Sequence, residues 1–543
     1  MAEECSTSRS ESGSSRRPQR RVRYHLSRVD RSSALVAIGI FFSRLTGFIR
    51  QRVFAHYFGL ESDSADAFIA AFRIPNFLQN LFGEGALSAS FIPVYAALLA
   101  RQDRREATRV AGTVAALLSL VTSLVVLTGV LMTPLLVTLI APGFQGAKRE
   151  LTITVVRILF PGAGLLVLSA WCLGVLNSHR RFLLSYLAPV IWNLTMIVTL
   201  LWWGAGTSLP RLAVILAWGA VAGSALQFLV QLPSVWTLVP DLRFRLEFSE
   251  HVRAAARNFV PVFVSRGVVQ ISAYIDEVLA SLLPTGAVTG LANAQLLYTL
   301  PVSLFGLSVS AAALPAMSGA AGMDAVHLVR ERVNSGLRQI AFFVVPSAVA
   351  FLSLGDVIAA ALFQTGRFRP QDAVYVWGIL AGSSIGLLAT TLGRLYSSTY
   401  YALRDTRTPL RFALVHVGIA TFLGYFTAIM VPPMLGIDPV WGTVGLTTSA
   451  SIAGWVEFAL LRRKLTERIG ETGLPASLTV RLWIAAAAAA GVAWALKLSI
   501  RPDHPIAAAA VVLTPFGLTF FGLALLFRVA EAQKALARFR RAI

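Results

Sequence analysis

Charge is the scarcest ingredient of this chain. Of its 543 residues 14% are Asp, Glu, Lys or Arg, while 56% are hydrophobic. Soluble domains carry about 25% charged residues, so the composition reads as that of a polytopic membrane protein. Acidic residues are scarcer still, 27 against 48 Lys and Arg, which leaves a formal net charge of +21. There are two cysteines, Cys5 in a polar tail and Cys172 in an apolar stretch. That excludes a disulfide framework and leaves Cys172 as a small buried hydrophobe. The seven histidines are scattered, with no spaced Cys/His cluster of the kind that binds zinc. No glycine-rich nucleotide loop and no acid, base and nucleophile constellation stand out. The chain therefore reads as neither an ATP-driven pump nor an enzyme, and no metal or cofactor site is expected. Transport would be driven by the membrane potential, a monovalent ion gradient or the substrate. Residues 1–31 lack the apolar core of a signal peptide and read as a basic, disordered cytosolic tail.

What the chain does have is long apolar runs. About 14 are long enough to cross a bilayer, near 32–57, 65–99, 109–140, 150–176, 184–203, 210–237, 257–283, 286–317, 337–361, 373–401, 410–434, 437–460, 480–498 and 505–527. Only helices or closed barrels satisfy the backbone in lipid, and runs of this length predict an all-α architecture. The positive charge sits on alternate loops. Arg101-Gln102-Asp103-Arg104-Arg105, His179-Arg180-Arg181, Arg243-Phe244-Arg245, Arg404-Asp405-Thr406-Arg407, Arg462-Arg463-Lys464 and Arg538-Phe539-Arg540-Arg541 all fall on one side, and Gly59-Leu60-Glu61-Ser62-Asp63 on the other. The asymmetry places both termini in the cytosol. It also accounts for the net charge as topology, so no nucleic-acid partner is implied.

Two stretches repeat each other. Ser43-Arg44, then Leu81-Phe82-Gly83 and Pro93, are echoed by Ser265-Arg266, Leu304-Phe305-Gly306 and Pro315. The offset is about 222 residues throughout, and an even number of spans per copy predicts parallel repeats related by an axis along the membrane normal. The expected units are a tail, 1–31; an N-lobe of six spans, 32–238; a C-lobe of six spans, 239–462; and two further spans with a basic tail, 463–543.

Ionisable residues inside apolar spans are costly unless they face protein or water, so each is a functional candidate. The first span carries Arg44 and Arg50, the second Asp66, Arg73 and Glu84. At ~100° per residue the last three fall within roughly 20° of one stripe, with Asn76 and Asn80 beside it. Pro75 predicts a kink. In the seventh span Arg266, Gln270 and Glu277 share a stripe, and Asp276 lies off it as a candidate cation ligand or a structurally paired carboxylate. Arginine suits phosphate because its planar fork stays charged and donates in pairs. The candidate substrate-binding set is Arg44, Arg50, Arg73, Arg266, Asn76 and Asn80. Asp66, Glu84 and Glu277 are candidates for gating or charge pairing, and a salt bridge from Arg44 to Asp66 or Glu84 is the structural alternative for that arginine. Arg52 reads as a residue that snorkels to the interface.

In order along the chain come Ser43-Arg44, Gly47-Phe48, Arg50, Asp66-Ala67-Phe68, Pro75-Asn76, Phe82-Gly83-Glu84-Gly85-Ala86-Leu87-Ser88, Ala141-Pro142-Gly143-Phe144, Leu176-Asn177, Arg181-Phe182, Ala188-Pro189, Gln231-Leu232-Pro233 and Thr408-Pro409. With these motifs the chain resembles the MurJ (MviN) lipid II flippases of the MOP transporter superfamily over nearly all of 32–530. The resemblance implies movement of an undecaprenyl-pyrophosphate-linked peptidoglycan precursor across the bacterial cytoplasmic membrane by alternating access. It also implies partners among membrane lipids and the cell-wall synthesis machinery. Arg44 and Arg50 match two cavity arginines of the family. Gln79, Asn80 and Leu296 stand where the family usually has arginine, and Arg73 and Arg266 are the candidates to replace them in space. A flippase for another undecaprenyl-linked glycan, an ion-coupled exporter of small amphiphiles and a non-transporting scaffold remain open alternatives.

Overall fold

The structure, a computed structural model, describes residues 19–82, 84–247, 249–323, 325–500 and 504–542, with side chains described throughout except at 19–37, 84–86, 88–89, 260–273, 538–539 and 541–542. Every regular element among these residues is helical. The first half comprises α1 (Gln19–Phe58), α2 (Asp63–Phe82), α3 (Glu84–Ala100), α4 (Arg104–Leu131), α5 (Thr133–Ile140), α6 (Gly146–Ser178), α7 (Phe182–Trp203) and α8 (Leu209–Leu238). The second comprises α9 (Glu250–Ser281), α10 (Ala287–Pro301), α11 (Ser308–Gly322), α12 (Val326–Phe363), α13 (Pro370–Ser384), α14 (Leu387–Ala402), α15 (Arg407–Tyr425), α16 (Val431–Leu435) and α17 (Gly442–Ile469). After it come α18 (Ala476–Ser499), α19 (Pro505–Leu526) and α20 (Ala530–Ala542).

Ten helices among the described residues are long and apolar enough to cross a membrane, or eleven when α13 and α14, bent by 45°, count as one span. The sequence expectation of about 14 is not reached by this measure. The stretches near 32–57, 65–99 and 257–283 are helical, but they carry the ionisable residues or lie partly outside the described set. The bend after Ser384 falls where Gly386 meets Ser451 of α17: a Cβ on Gly386 would lie 2.6 Å from the Ser451 Cα. Pro75 does not interrupt α2, which continues to Phe82. Gly83, between α2 and α3, lies outside the described residues. In the second half the repeat-equivalent motif, Leu304-Phe305-Gly306, lies in a π-helical turn over Val302–Leu307, a geometry that often marks functional positions.

The apolar residues gather into three clusters. Two centre on the first half, one on α3, α4 and α6, which Val252 of α9 joins, the other on α2, α6, α7 and α8. The third is built from α10 to α19, with α18 and α19 laid against α12. From the first half, Ala55, Leu60, Ala70, Ala141 and Phe144 join this third cluster. All five lie toward the end of the molecule where α1 finishes and α2 begins, and there the halves are sealed together.

Direct contacts between halves reproduce the repeat length. Thr285 donates to Asp63 at 2.7 Å and Arg73 donates to Gln295 at 2.7 Å, and both pairs are separated by 222 residues. On the repeat expected from the sequence, each of these residues touches its counterpart, which puts α2 and α10 beside the expected axis.

Candidate functional site

The sealed end is held by a buried carboxylate. Asp66, in the first turn of α2, is 1% exposed. It accepts hydrogen bonds from the backbone N–H groups of Gly286 and Thr289, both at 2.9 Å, and from the Thr289 hydroxyl at 2.7 Å. Lys148 donates to it at 2.8 Å, lies 3.2 Å from Asp63, and rests over the Phe144 ring. Asp66 thus caps α10 from another helix, where the unpaired N–H groups and the helix dipole favour a negative charge. With four donors, its burial cost is well offset. The converse arrangement holds α1. Arg52 donates to the Ala361 and Leu362 carbonyls at the C-terminus of α12, the end that favours a cation. Sequence reading had Arg52 snorkelling to the interface; the carbonyls of α12 are nearer and unpaired, and they capture it. His56 Nδ1 lies 2.8 Å from the Thr365 hydroxyl, and Gln51 donates to Asn293 at 2.9 Å.

One level deeper, Arg73 bridges the halves. Arg73 of α2 pairs with Glu277 of α9 at 3.0 Å and donates to Gln295 of α10. The Tyr274 hydroxyl donates to the Arg73 carbonyl at 2.6 Å, and the Tyr274 ring packs edge-on against Phe77. Glu277 is 1% exposed, yet apart from this ion pair neither carboxylate oxygen has a well-aligned hydrogen-bond partner among the described residues. A buried pair satisfied this thinly gains little over its desolvation cost. It is a contact that a better anion can displace, unlike the one at Asp66.

The other candidates are spread more widely than one stripe. Arg44 is exposed and donates to Ser303 at 2.9 Å, on the π-helical turn of the second half; its alternative partner Asp66 is taken by Lys148 and α10. Arg50 points the other way, over the rings of Phe72 and Trp192 at 5.6 and 5.0 Å. Asn76 lines a crevice of about 20 Å³ walled by Phe72, Trp192, Ala220 and Ser224, inside the first half. Arg50 and Asn76 therefore do not converge with Arg73, because α2 is packed on both flanks and its polar residues divide between them. Asn80 is exposed. The side chains of Arg266, Gln270 and Glu84 lie outside the described residues. Asp276 is half-buried and adjoins Glu277 in sequence.

Lys148, Gln295, Tyr274 and the Arg52 anchor were not anticipated. Lys148 looked like an ordinary loop charge in Gly146-Ala147-Lys148-Arg149. Gln295 had a usable signal, since it stands one repeat length from Arg73, but only the knowledge that α2 and α10 touch makes that signal readable.

A family model described as "Lipid II flippase MurJ" matches residues 54–506. The chain belongs to the MurJ lipid II flippase family. It is 32% identical over 502 residues to "Probable lipid II flippase MurJ" of Rhizobium meliloti (strain 1021), covering 90% of this chain and 91% of that one. It is 30% identical over 433 residues to "Lipid II flippase MurJ" of Burkholderia cenocepacia, covering 78% and 81%. Among solved structures, a lipid II flippase MurJ in an inward closed conformation superposes with a TM-score of 0.72 at 24% identity, covering 91% of this chain and 99% of that chain. An inward-facing MATE transporter of the MOP superfamily superposes at 0.63 with 18% identity, covering 80% and 98%. These likenesses carry the fold. Membership makes the chain a multi-pass membrane transporter.

Proposed function

We propose that the protein flips lipid II from the inner to the outer leaflet of the bacterial cytoplasmic membrane, by alternating access between 32–238 and 239–462. The sealed end faces outward in this reading, because the arginine-rich loops, which favour the cytosol, lie at the opposite end. The observation that carries the proposal is the Arg73–Glu277 pair, which joins the two halves just beneath the seal.

The pyrophosphate of an entering substrate offers Arg73 paired, charge-assisted hydrogen bonds, better than the thinly satisfied carboxylate it holds when empty. Arg44, exposed and donating to the Ser303 hydroxyl, adds a second positive charge. Once Arg73 turns to phosphate, Glu277 is left buried without its counter-ion, and that cost is relieved only when α9 withdraws from α2. Withdrawal strips Asp66 of the α10 N-terminus and opens the outer end. The substrate acts through its preference for one of two states.

The test is rescue of a strain depleted of its own flippase, read as exposure of labelled lipid II on the outer face. Wild type should restore exposure and growth, and Arg73→Ala should not, at equal membrane abundance. A second reading, transport of another undecaprenyl-linked glycan, is favoured by the neutral Gln79, Asn80 and Leu296. It predicts correct insertion without rescue.

A further inference from the structure

At the outer end the two halves enclose a cavity of about 460 Å³. One wall is the turn between α1 and α2, from Phe58 to Ser62, with Leu209 at the start of α8. The other is the turn between α12 and α13, with Arg367 and Arg369, and Asp372 of α13. The cavity spans the seam and has this form only while the seam is closed. Both walls are fixed through their backbones. The Arg367 N–H donates to the His56 carbonyl at 2.9 Å. Gly59, at a φ of +70°, lets the second turn come close: a Cβ there would lie 3.1 Å from the Arg367 carbonyl oxygen. Phe368 is 2% exposed and packs against Phe363, and the Arg369 N–H donates to the Asp372 carboxylate at 2.8 Å.

The charged side chains on this fixed frame are uncommitted. Arg367, Arg369 and Glu61 are all exposed. None forms an ion pair with a described residue, whereas Lys148, Arg149 and Lys497 at the same end each hold a carboxylate. Two arginines on an outer loop have no topological purpose, since basic residues favour the cytosolic side. Asp372 is 5% exposed and is spent on capping α13. What remains is two guanidinium groups on one wall and a carboxylate on the other, with open space between. The volume falls in the range of small-ligand sites, about 300–1,000 Å³. Glu61 repels a ligand that is only negative, and the arginines repel one that is only positive. A ligand of both signs meets both walls, with a carboxylate for the guanidinium forks and an ammonium for Glu61.

We infer that this cavity binds a short peptide bearing a free carboxylate and a free ammonium group, with Arg367 and Arg369 on the carboxylate and Glu61 on the ammonium. A ligand held by both walls binds the sealed state alone, so it keeps the outer end closed. The peptide stem of a peptidoglycan precursor has this chemistry. The inference deepens the transport reading and rests on it for the source of the peptide: a stem already delivered to the outer face returns to the seam and slows the next opening. Binding itself needs no transport and is tested first.

The probe is Nα-acetyl-L-Lys-D-Ala-D-Ala, which offers one ammonium and one carboxylate, titrated calorimetrically into the full-length protein in nanodiscs. Its Nε-acetylated form lacks the ammonium and is the comparison. Wild type should bind the probe saturably, and the doubly acetylated form at least fivefold more weakly. In Glu61→Gln the two should bind alike. Arg367→Gln and Arg369→Gln should each weaken both peptides at least threefold. No saturable binding to wild type overturns the inference. So does an acetylation penalty that persists in Glu61→Gln, or undiminished binding in both arginine variants. In liposomes carrying fluorescent lipid II, saturating probe at the outer face should slow flipping at least threefold in wild type. Unslowed flipping there overturns the claim that occupancy closes the seam. Absence of flipping in every preparation, with peptide binding intact, rejects the transport reading and leaves the peptide site standing.

Discussion

Arg73 and Asp66 lie seven residues apart, two turns along α2, and they are held in opposite ways. Asp66 has four donors and no spare acceptor capacity worth competing for; Arg73 faces a carboxylate that has little besides it among the described residues. The difference predicts different phenotypes. Arg73→Ala strands a buried Glu277, a loss of about 3–5 kcal/mol on the usual scale for broken buried pairs, and should abolish rescue while biasing the outer end open. Arg73→Ala combined with Glu277→Gln removes the stranded charge. It should restore the sealed state in a distance measurement but not flipping, because the phosphate ligand is still missing. If the double variant flips normally, Arg73 is not a substrate ligand. On the arginine-rich side, His179 lies 3.0 Å from the Tyr95 hydroxyl, and burial, with Arg104 nearby, holds its ring below the ordinary histidine range. The folded state therefore favours the neutral ring. Its contribution to stability is whole above about pH 6.5 and fades as the pH falls below that toward the depressed folded value. The melting temperature of wild type should drop from pH 7 to pH 5 more steeply than that of His179→Gln.

Helices in this protein are pinned by their ends. α10 is capped by Asp66 from another helix, and the last carbonyls of α12 are bound by Arg52. Hydrogen bonds to a charged group are worth about 1.5–3 kcal/mol each, so Asp66→Ala should lower the melting temperature and raise accessibility to thiol reagents of a cysteine placed at Thr289. Asp66→Glu should not substitute, because its longer chain moves the carboxylate off the N–H pair. α18 is fastened to α12 by Lys497 on Asp356 at 2.6 Å and by Trp494 donating to the Ser353 carbonyl at 2.9 Å. Lys497→Asp should loosen α18, seen as faster proteolysis near 470–475, and the swap with Asp356→Lys should restore it. None of these anchors was readable in the chain. Arg52 and Lys148 look like any basic residue near a span end, and what distinguishes them is a helix terminus brought alongside by tertiary packing. The spans themselves were readable, since apolar run length is a local property.

For the molecule as a whole, the sequence suggests a repeat, but which faces of its two halves touch is not legible in it. A helical wheel put Asp66, Arg73 and Glu84 on one stripe, and it could not say that Asn76 and Arg50 would turn into the first half, toward Trp192 and Phe72. The contacts across the axis allow a direct check on rocking. Cysteines replacing Asp63 and Thr285, in a Cys5→Ser background with the buried Cys172 retained, should crosslink readily, stop flipping, and release it on reduction; flipping that survives full crosslinking would show that the sealed end need not open. Contacts one repeat length apart also carry a historical consequence. In a dimer of identical halves, residues beside a two-fold axis meet their own copies, so an arginine at position 73 would have faced another arginine, and a glutamate another glutamate. Such a dimer cannot place a cation against a neutral amide at its centre. Fusion into one chain removes that restriction, and the unlike pair Arg73 and Gln295, with Glu277 on one side alone, is an arrangement open only to a gene whose two halves mutate independently.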